Sequence, residues 1–171
     1  MDRGRLNVIG VHLYLERDAK VLLGLRHPDS AFAGSTHHFL AGHCEHEPAI
    51  ACIVREAQEE GGLLIRPEDL ELVHVVHVLD EGGDGRPRMQ LVFRADAWEG
   101  DLEVREPDKC VSWGWWPLDA LPEPIVPYTR AAIEGIRAGR RYTEQWAGAG
   151  SDPSGSARRP PARTTAPGGV R

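Results

Sequence analysis

Cysteine is scarce in this chain. Its three residues, Cys44, Cys52 and Cys110, follow no zinc-ligand spacing and cannot all pair within the chain. This argues against a disulfide framework and favours reduced thiols, with Cys52 acting as a small core filler rather than a nucleophile. The chain also lacks any run of 18 apolar residues, and Met1-Asp2-Arg3-Gly4-Arg5 leads into a strand pattern rather than the apolar stretch of a signal peptide. A cytoplasmic protein with no membrane partner is the expectation. Positive charge is missing from the body. Residues 147–171 hold four arginines and one aspartate, so against a formal −6 for the whole chain the first 146 residues carry −9. A body this acidic is a poor match for a nucleic-acid polymer, whose affinity rests on neutralising phosphates. No internal repeat is visible at a period of 20 to 50 residues.

What is present suits one domain. A hydrophobic content of 41% in 171 residues is enough for a core. From Ala147 onward the chain is almost wholly Gly, Ala, Ser, Pro, Thr and Arg, which predicts a folded domain over 1–146 and a disordered tail over 147–171. Alternating apolar residues predict strands over Leu6 to Glu16 and Val21 to Leu25, joined as a hairpin by a turn at Asp18. A loop over 26–36 then leads to a short strand near His38 to Leu40. Further strands are predicted over Leu70 to Leu79 and Met89 to Trp98, with a turn at Glu81 to Gly85 between them. A closing helix is predicted from Pro127 to Ala138, burying Ala131, Ala132, Ile133 and Ile136. Strands with helices in the middle and at the end point to an α/β fold, a mixed sheet covered on both faces.

The window from Gly42 to Leu63 carries the chemistry. Pro48 suits a helix start and Gly61-Gly62 a helix stop. On that helix Ile50, Ile53, Val54 and Ala57 form a core-facing stripe, while Ala49, Cys52, Glu56, Glu59 and Glu60 share the adjacent face. Glu56, Glu59 and Glu60 stand at i, i+3 and i+4, so their like charges converge and repel. A divalent cation is the natural counter-charge. Oxygen ligands without histidine or cysteine at ligand spacing favour Mg²⁺, with Mn²⁺ an alternative. Arg55 precedes Glu59 by four residues and can reach back to Glu47, holding the loop to the helix.

These residues resemble the Nudix box. Glu47, seven residues, then Arg55-Glu56-Ala57-Gln58-Glu59-Glu60-Gly61-Gly62-Leu63 match its second part, whereas only four residues separate Gly42 from Glu47, one fewer than the pattern has. A second segment, Glu106 to Pro117, resembles the branch that includes thioguanine-nucleotide diphosphatase and related nucleoside triphosphate pyrophosphatases. The resemblance implies an α/β/α sandwich and a metal-dependent hydrolase that splits nucleoside triphosphates into monophosphate and pyrophosphate. An acidic body is compatible with such a substrate because a bound cation inverts the local field. Glu59 and Glu60 are expected as metal ligands and Glu56 as a further ligand or the proton acceptor. A backbone carbonyl of Ala41 or Gly42 would complete the coordination, and Glu106 or Asp108 could add a carboxylate. Gln90, Tyr128 and His43 are the candidates for contacting substrate, with a sheet-surface glutamine, a packing tyrosine and a loop histidine as the plain alternatives. Hydrolysis of nucleotide sugars or ADP-ribose is an alternative activity, and a non-catalytic nucleotide sensor is one of another class. The composition permits a homodimer.

The tail supplies the first prediction. Deleting residues 148–171 leaves melting temperature and turnover within error, because its composition offers nothing to bury. A drop of several degrees in thermal denaturation would show that the tail docks.

Overall fold

The computed structural model describes residues 7–79 and 86–146. The turn expected at Glu81 to Gly85 and the tail from Ala147 lie outside the described residues. In chain order the elements are β1 (Val8–Tyr14), β2 (Glu16–Arg17), β3 (Lys20–Arg26), β4 (His37–His38) and β5 (Leu40–His43). They continue with α1 (Ala49–Gly61), β6 (Leu70–Leu79), β7 (Arg88–Ala95), β8 (Cys110–Pro117), α2 (Pro127–Arg137) and β9 (Tyr142–Trp146).

The two apolar runs expected to form one hairpin enter different sheets. β1 alternates strictly, with Val11, Leu13 and Leu15 buried on one side and Gly10, His12 and Tyr14 on the other. The chain then leaves that sheet, and the hairpin is made by β2 and β3 alone, turning through Asp18 and Ala19, both at positive φ. Two consecutive left-handed residues match the right-handed twist of the flanking strands.

β1 lies inside a five-stranded mixed sheet ordered β5-β1-β7-β6-β9, antiparallel at β5/β1 and β7/β6 and parallel at β1/β7 and β6/β9. β3 belongs to a smaller antiparallel sheet. It pairs with β8 from Lys20 to Arg26 and meets β2 and β4 as well. α1 packs on β5 and β1, and α2 on β6 and β9. The two helices cover opposite faces, giving the α/β/α sandwich. One core joins Val11, Leu13, Leu40, Ile53, Ala57 and Phe93, and the other joins Tyr14, Phe39, Val76, Val92, Ala132 and Ile133. Trp113 and Trp115 pack with the first core and Trp116 with the second, as alternation along β8 requires.

Several details depart from expectation. Pro48 is the residue before α1 rather than its first, and Gly62 ends the helix at φ 72°, where its N–H reaches Ala57 and Gln58 carbonyls. The buried stripe of α1 is centred on Cys52, Ile53 and Ala57, while Ile50 in the first turn is exposed. β7 stops at Ala95 instead of Trp98 because Glu99 turns away to pair with Leu64 beyond the end of α1. In α2 the buried positions are Thr129, Ala132, Ile133 and Gly135, and Ala131 and Ile136 are half-buried. Among the described residues no helix is long and apolar enough to cross a membrane.

α2 comes close to the sheet at Gly135. A methyl group there would overlap the His74 ring, which is 1% exposed and clamped between the Arg140 carbonyl at 2.8 Å and the Thr143 hydroxyl at 2.9 Å. Gly135→Ala would gain about 1 kcal/mol of helix propensity and lose roughly 1–3 kcal/mol to overpacking against a ring that cannot swing aside. The overpacking wins, so the variant should melt several degrees lower. A higher melting temperature would show that the ring yields.

Candidate active site

On a helical wheel at 100° per residue, Glu56 and Glu60 fall between Cys52 and Ile53. Burying those two residues against the sheet therefore turns both carboxylates toward β5 as well. Glu56 lies over Gly42, where a methyl group would overlap its carboxylate, and its side chain is 13% exposed. Glu60 Oε2 accepts the backbone N–H of Ala41 at 3.4 Å. Glu59 remains more open, at 54% exposed.

Arg55 ties this group together. One terminal nitrogen meets Glu47 at 2.6 Å and Glu56 at 3.0 Å, and the other meets Glu59 at 2.8 Å. The expected Glu47 to Arg55 pairing thus forms across the shortened loop, and Arg55 donation holds the Glu47 carboxyl below its usual range. Glu56 is pushed upward by burial, with Arg55 opposing. Glu60 rises to about 7, first through burial and then through the neighbouring Glu56, with Glu106 adding to the shift while the Ala41 N–H and Lys109 oppose it. Lys109 pairs with Glu106 at 2.9 Å. Glu106 therefore reaches the field of the cluster. Asp108 is exposed.

The residues fit a hard divalent cation. The donors are all carboxylates, the bare Cα at Gly42 lets the Glu56 carboxylate seat against β5, and Glu60 is a half-buried carboxylate beside that like charge. Among the described residues no three acidic, histidine or cysteine side chains converge as a closed ligand set. Arg55 accounts for part of this, since it draws Glu47, Glu56 and Glu59 to itself.

The opposite face of the sheet holds a second group. Gln90 and His12 are each 4% exposed and joined at 2.8 Å between Gln90 Oε1 and His12 Nε2. Tyr128 meets the His12 ring edge-on at 5.5 Å and lies parallel to Phe32 at 6.4 Å. Since Gly42 faces α1, its strand neighbours Ala41 and His43 face this second group, His43 in register with Gly10 and Ala41 with His12. Strand β5 thus separates the two groups and contributes to both. His37 and His38 are also neighbours of opposite orientation, and burial lowers His38 to about 3.

Comparison with known proteins agrees with this fold. The NUDIX domain family matches residues 5–135. The chain belongs to the Nudix family. Among solved structures, it is similar to the MutT NUDIX hydrolase of Burkholderia pseudomallei, at 29% identity and TM-score 0.68 over 75% of this chain and 97% of that one. It shares its fold with the MutT protein of Methanosarcina mazei, at 18% identity and TM-score 0.66 over 79% and 96% of the two chains. A Streptococcus suis ADP-ribose pyrophosphatase also shares the fold, at 16% identity and TM-score 0.54 over 83% and 100%. As a Nudix pyrophosphohydrolase the chain acts on a small molecule, and members of its family generally use divalent ions such as Mg²⁺.

Two residues of this Nudix protein's second group escaped the sequence reading, His12 and Phe32. His12 shares a β1 face with Gly10 and Tyr14, an alternation that reads as a solvent-facing side and is instead covered by α2 and its flanking rings. Phe32 sits in a loop, where an exposed aromatic beside Arg26 was the available signal.

The roles of Glu47 and Glu56 should separate by mutation. Glu47→Gln weakens a loop anchor and should lower turnover within about tenfold, whereas Glu56→Gln removes the carboxylate seated over Gly42, the expected ligand or proton acceptor, and should cost roughly 10²–10⁴. Steady-state kinetics on both variants tests this, and equal losses would refute the division of labour.

Proposed function

We propose that this Nudix hydrolase splits the diphosphate linkage of a nucleoside triphosphate, giving monophosphate and pyrophosphate. The observation that carries the reading is the half-buried Glu60 beside Glu56, its proton affinity raised first by burial against β5 and then by the neighbouring like charge. Glu59 and Glu60 would hold Mg²⁺, or Mn²⁺ in its place, with the Ala41 or Gly42 carbonyl completing the set and Glu106 as the carboxylate from outside the box. Such ions, when bound, neutralise phosphate oxygens and make a coordinated water more acidic. Glu56 is a further ligand or the acceptor of the water's proton, and its raised proton affinity suits acceptance. Arg55 and Glu47 fix the loop and the helix relative to each other. His43, on the face of β5 turned away from Glu56 and in register with Gly10, would meet the phosphates of a substrate that spans both groups. Gln90 and Tyr128 would meet the base, one by hydrogen bonding and one by stacking.

The resemblance of Glu106 to Pro117 to the branch containing thioguanine-nucleotide diphosphatase supports a triphosphate over a nucleotide sugar or ADP-ribose. The sensor alternative drew its support from the short loop. The Glu47 to Arg55 pair at 2.6 Å removes the reason to regard that loop as defective. The catalytic domain is taken as residues 1–146, with the tail outside the chemistry.

A panel of nucleoside triphosphates, nucleotide sugars and ADP-ribose with Mg²⁺, scored for pyrophosphate and phosphate release, tests the substrate class. Turnover should vanish in excess chelator and fall roughly 10²–10⁴-fold in Glu60→Gln. A pH dependence follows too. Glu60, raised above its unfolded value of 4.5 to about 7, stabilises the metal-free fold below pH 4.5 and loses that contribution as pH rises through 7. Added Mg²⁺ should therefore raise the melting temperature more at pH 8 than at pH 5.5. Equal shifts at both values, or turnover in chelator, would overturn the metal assignment.

A further inference from the structure

The parallel strands β1 and β7 continue past the Gln90 group to a separate cleft at their C-terminal ends. Tyr14 stands in register with Arg94 there, four residues on from the Gly10 and Gln90 pair, or roughly 13 Å along the sheet at about 3.3 Å per residue. The chain turns out of β1 into β2 at this point, so the cleft has Glu16, Arg17 and Asp18 on one side and the segment from Arg94 to Trp98 on the other. Its volume is about 600 Å³, enough to hold a small molecule. Five charged side chains line it, Glu16, Arg17, Asp18, Arg94 and Asp96, and no ion pair forms between them. Aromatic rings account for the separation. The Arg17 guanidinium lies 5.2 Å from the ring centres of both Trp98 and Trp115, which are stacked at 6.3 Å, and the Arg94 guanidinium lies 5.4 Å from that of Tyr14. Tyr14 is fully buried, and its hydroxyl donates to Glu16 at 2.6 Å. One of the three acids is thus held by the phenol. Among the described residues the side chains of Arg17, Arg94, Asp18 and Asp96 have no hydrogen-bond partner. A guanidinium only donates and a carboxylate only accepts, so the polarity that each presents to the cleft is fixed.

Opposite charges gathered on one concave surface yet kept apart add little to the fold, since each remains hydrated and none is paired. They suit a molecule that carries both signs. A simple anion would meet Asp18 and Asp96 as well as the arginines, and a simple cation would meet the arginines as well as the aspartates. We propose that this cleft is a binding site, separate from the α1 carboxylates, for a small zwitterion of the amino-acid class, a free amino acid or a dipeptide. Its carboxylate would accept from Arg17 and Arg94, its ammonium would donate to Asp18 and Asp96, and its side chain would lie along Trp98. The ring contacts favour such binding. Each guanidinium is already seated on an aromatic face, so pairing with a ligand costs less side-chain freedom than it would for an arginine extended into water.

Calorimetry on the full chain with a panel of free amino acids and unblocked dipeptides tests this, run beside their N-acetylated and C-amidated counterparts. The acetylated form lacks the cation and the amidated form lacks the anion. At least one unblocked member should bind, and either block should weaken it about tenfold or more, the worth of one charge-assisted hydrogen bond. In the double variant Arg17→Gln with Arg94→Gln, the free and amidated forms should bind within about twofold of each other, because the partner of the carboxylate is gone. Asp18→Asn with Asp96→Asn should level the free and acetylated forms in the same way, and asparagine tolerates the positive φ of position 18. Circular dichroism and thermal denaturation confirm that the variants are folded, while the blocked ligands probe the same contacts in the wild type. Glu60→Gln, at the carboxylate group on α1, should bind the ligand as the wild type does. Absence of binding by every member at millimolar concentration would overturn the proposal, as would equal binding of the acetylated form, which would make the cleft an anion site. Binding unaltered in both double variants, or lost in Glu60→Gln, would place the ligand elsewhere and overturn it as well.

Discussion

Carboxylates that repel one another cannot be held against a sheet unless something answers their charge, and in this protein Arg55 answers part of it. Its two terminal nitrogens engage Glu47, Glu56 and Glu59, all between 2.6 and 3.0 Å. Glu60 is left outside that arrangement, and burial together with the nearby Glu56 raises its proton affinity. The helix end, the loop and the strand are therefore coupled through one guanidinium. A lysine could not replace it, because a single ammonium lacks the fork needed to serve three carboxylates at once. The remaining negative charge is the part of the arrangement that Arg55 does not neutralise.

Strand β5 is where this constraint meets the rest of the fold. Four residues long, it turns Gly42 toward Glu56 and turns Ala41 and His43 toward the opposite face. Pairing with β1 brings His43 into register with Gly10, and the parallel pairing of β1 with β7 brings Gly10 into register with Gln90. Sheet order thus sets where Gln90 stands relative to β5 and the α1 carboxylates, independent of any one side chain. The close approaches at Gly10 and Gly42 serve that arrangement from both sides, each leaving space for a side chain from a neighbouring element.

The carboxylate group was legible in the sequence because it is local. Helical spacing, Pro48, Gly62 and the seven residues from Glu47 to Arg55 all lie within one helix and its entry loop, where period and reach are set by backbone geometry. The β6 bounds and the facing of Trp113, Trp115 and Trp116 were legible for the same reason, since alternation is a property of one strand. What escaped depended on distant pairing. Gly10, His12 and Tyr14 look like an outward face until α2, more than 110 residues later, covers it, and the division of the first hairpin between two sheets depends on β8. Gln90 and Tyr128 could be named as candidates, but not the histidine that joins them. Contacts between residues 78 positions apart leave no local pattern.

The shortened loop illustrates how a departure from a family pattern can be absorbed. One residue fewer between Gly42 and Glu47 removes slack from a connection whose ends are fixed by β5 and α1. The Cys44 N–H is tied to the Ile9 carbonyl at 3.0 Å, so the first part of the loop continues the β1 pairing instead of swinging free. That leaves three residues between Cys44 and Pro48, enough to carry the Glu47 carboxylate back to Arg55. A shorter closed loop loses less entropy on ordering, a difference of only a few tenths of a kcal/mol for one residue. The deletion is thus nearly neutral for folding, and its effect falls on geometry. With the Glu47 to Arg55 pair formed, that geometry still presents Glu56 to Gly42, so the feature that departs from the pattern leaves in place the contact on which the carboxylate cluster depends.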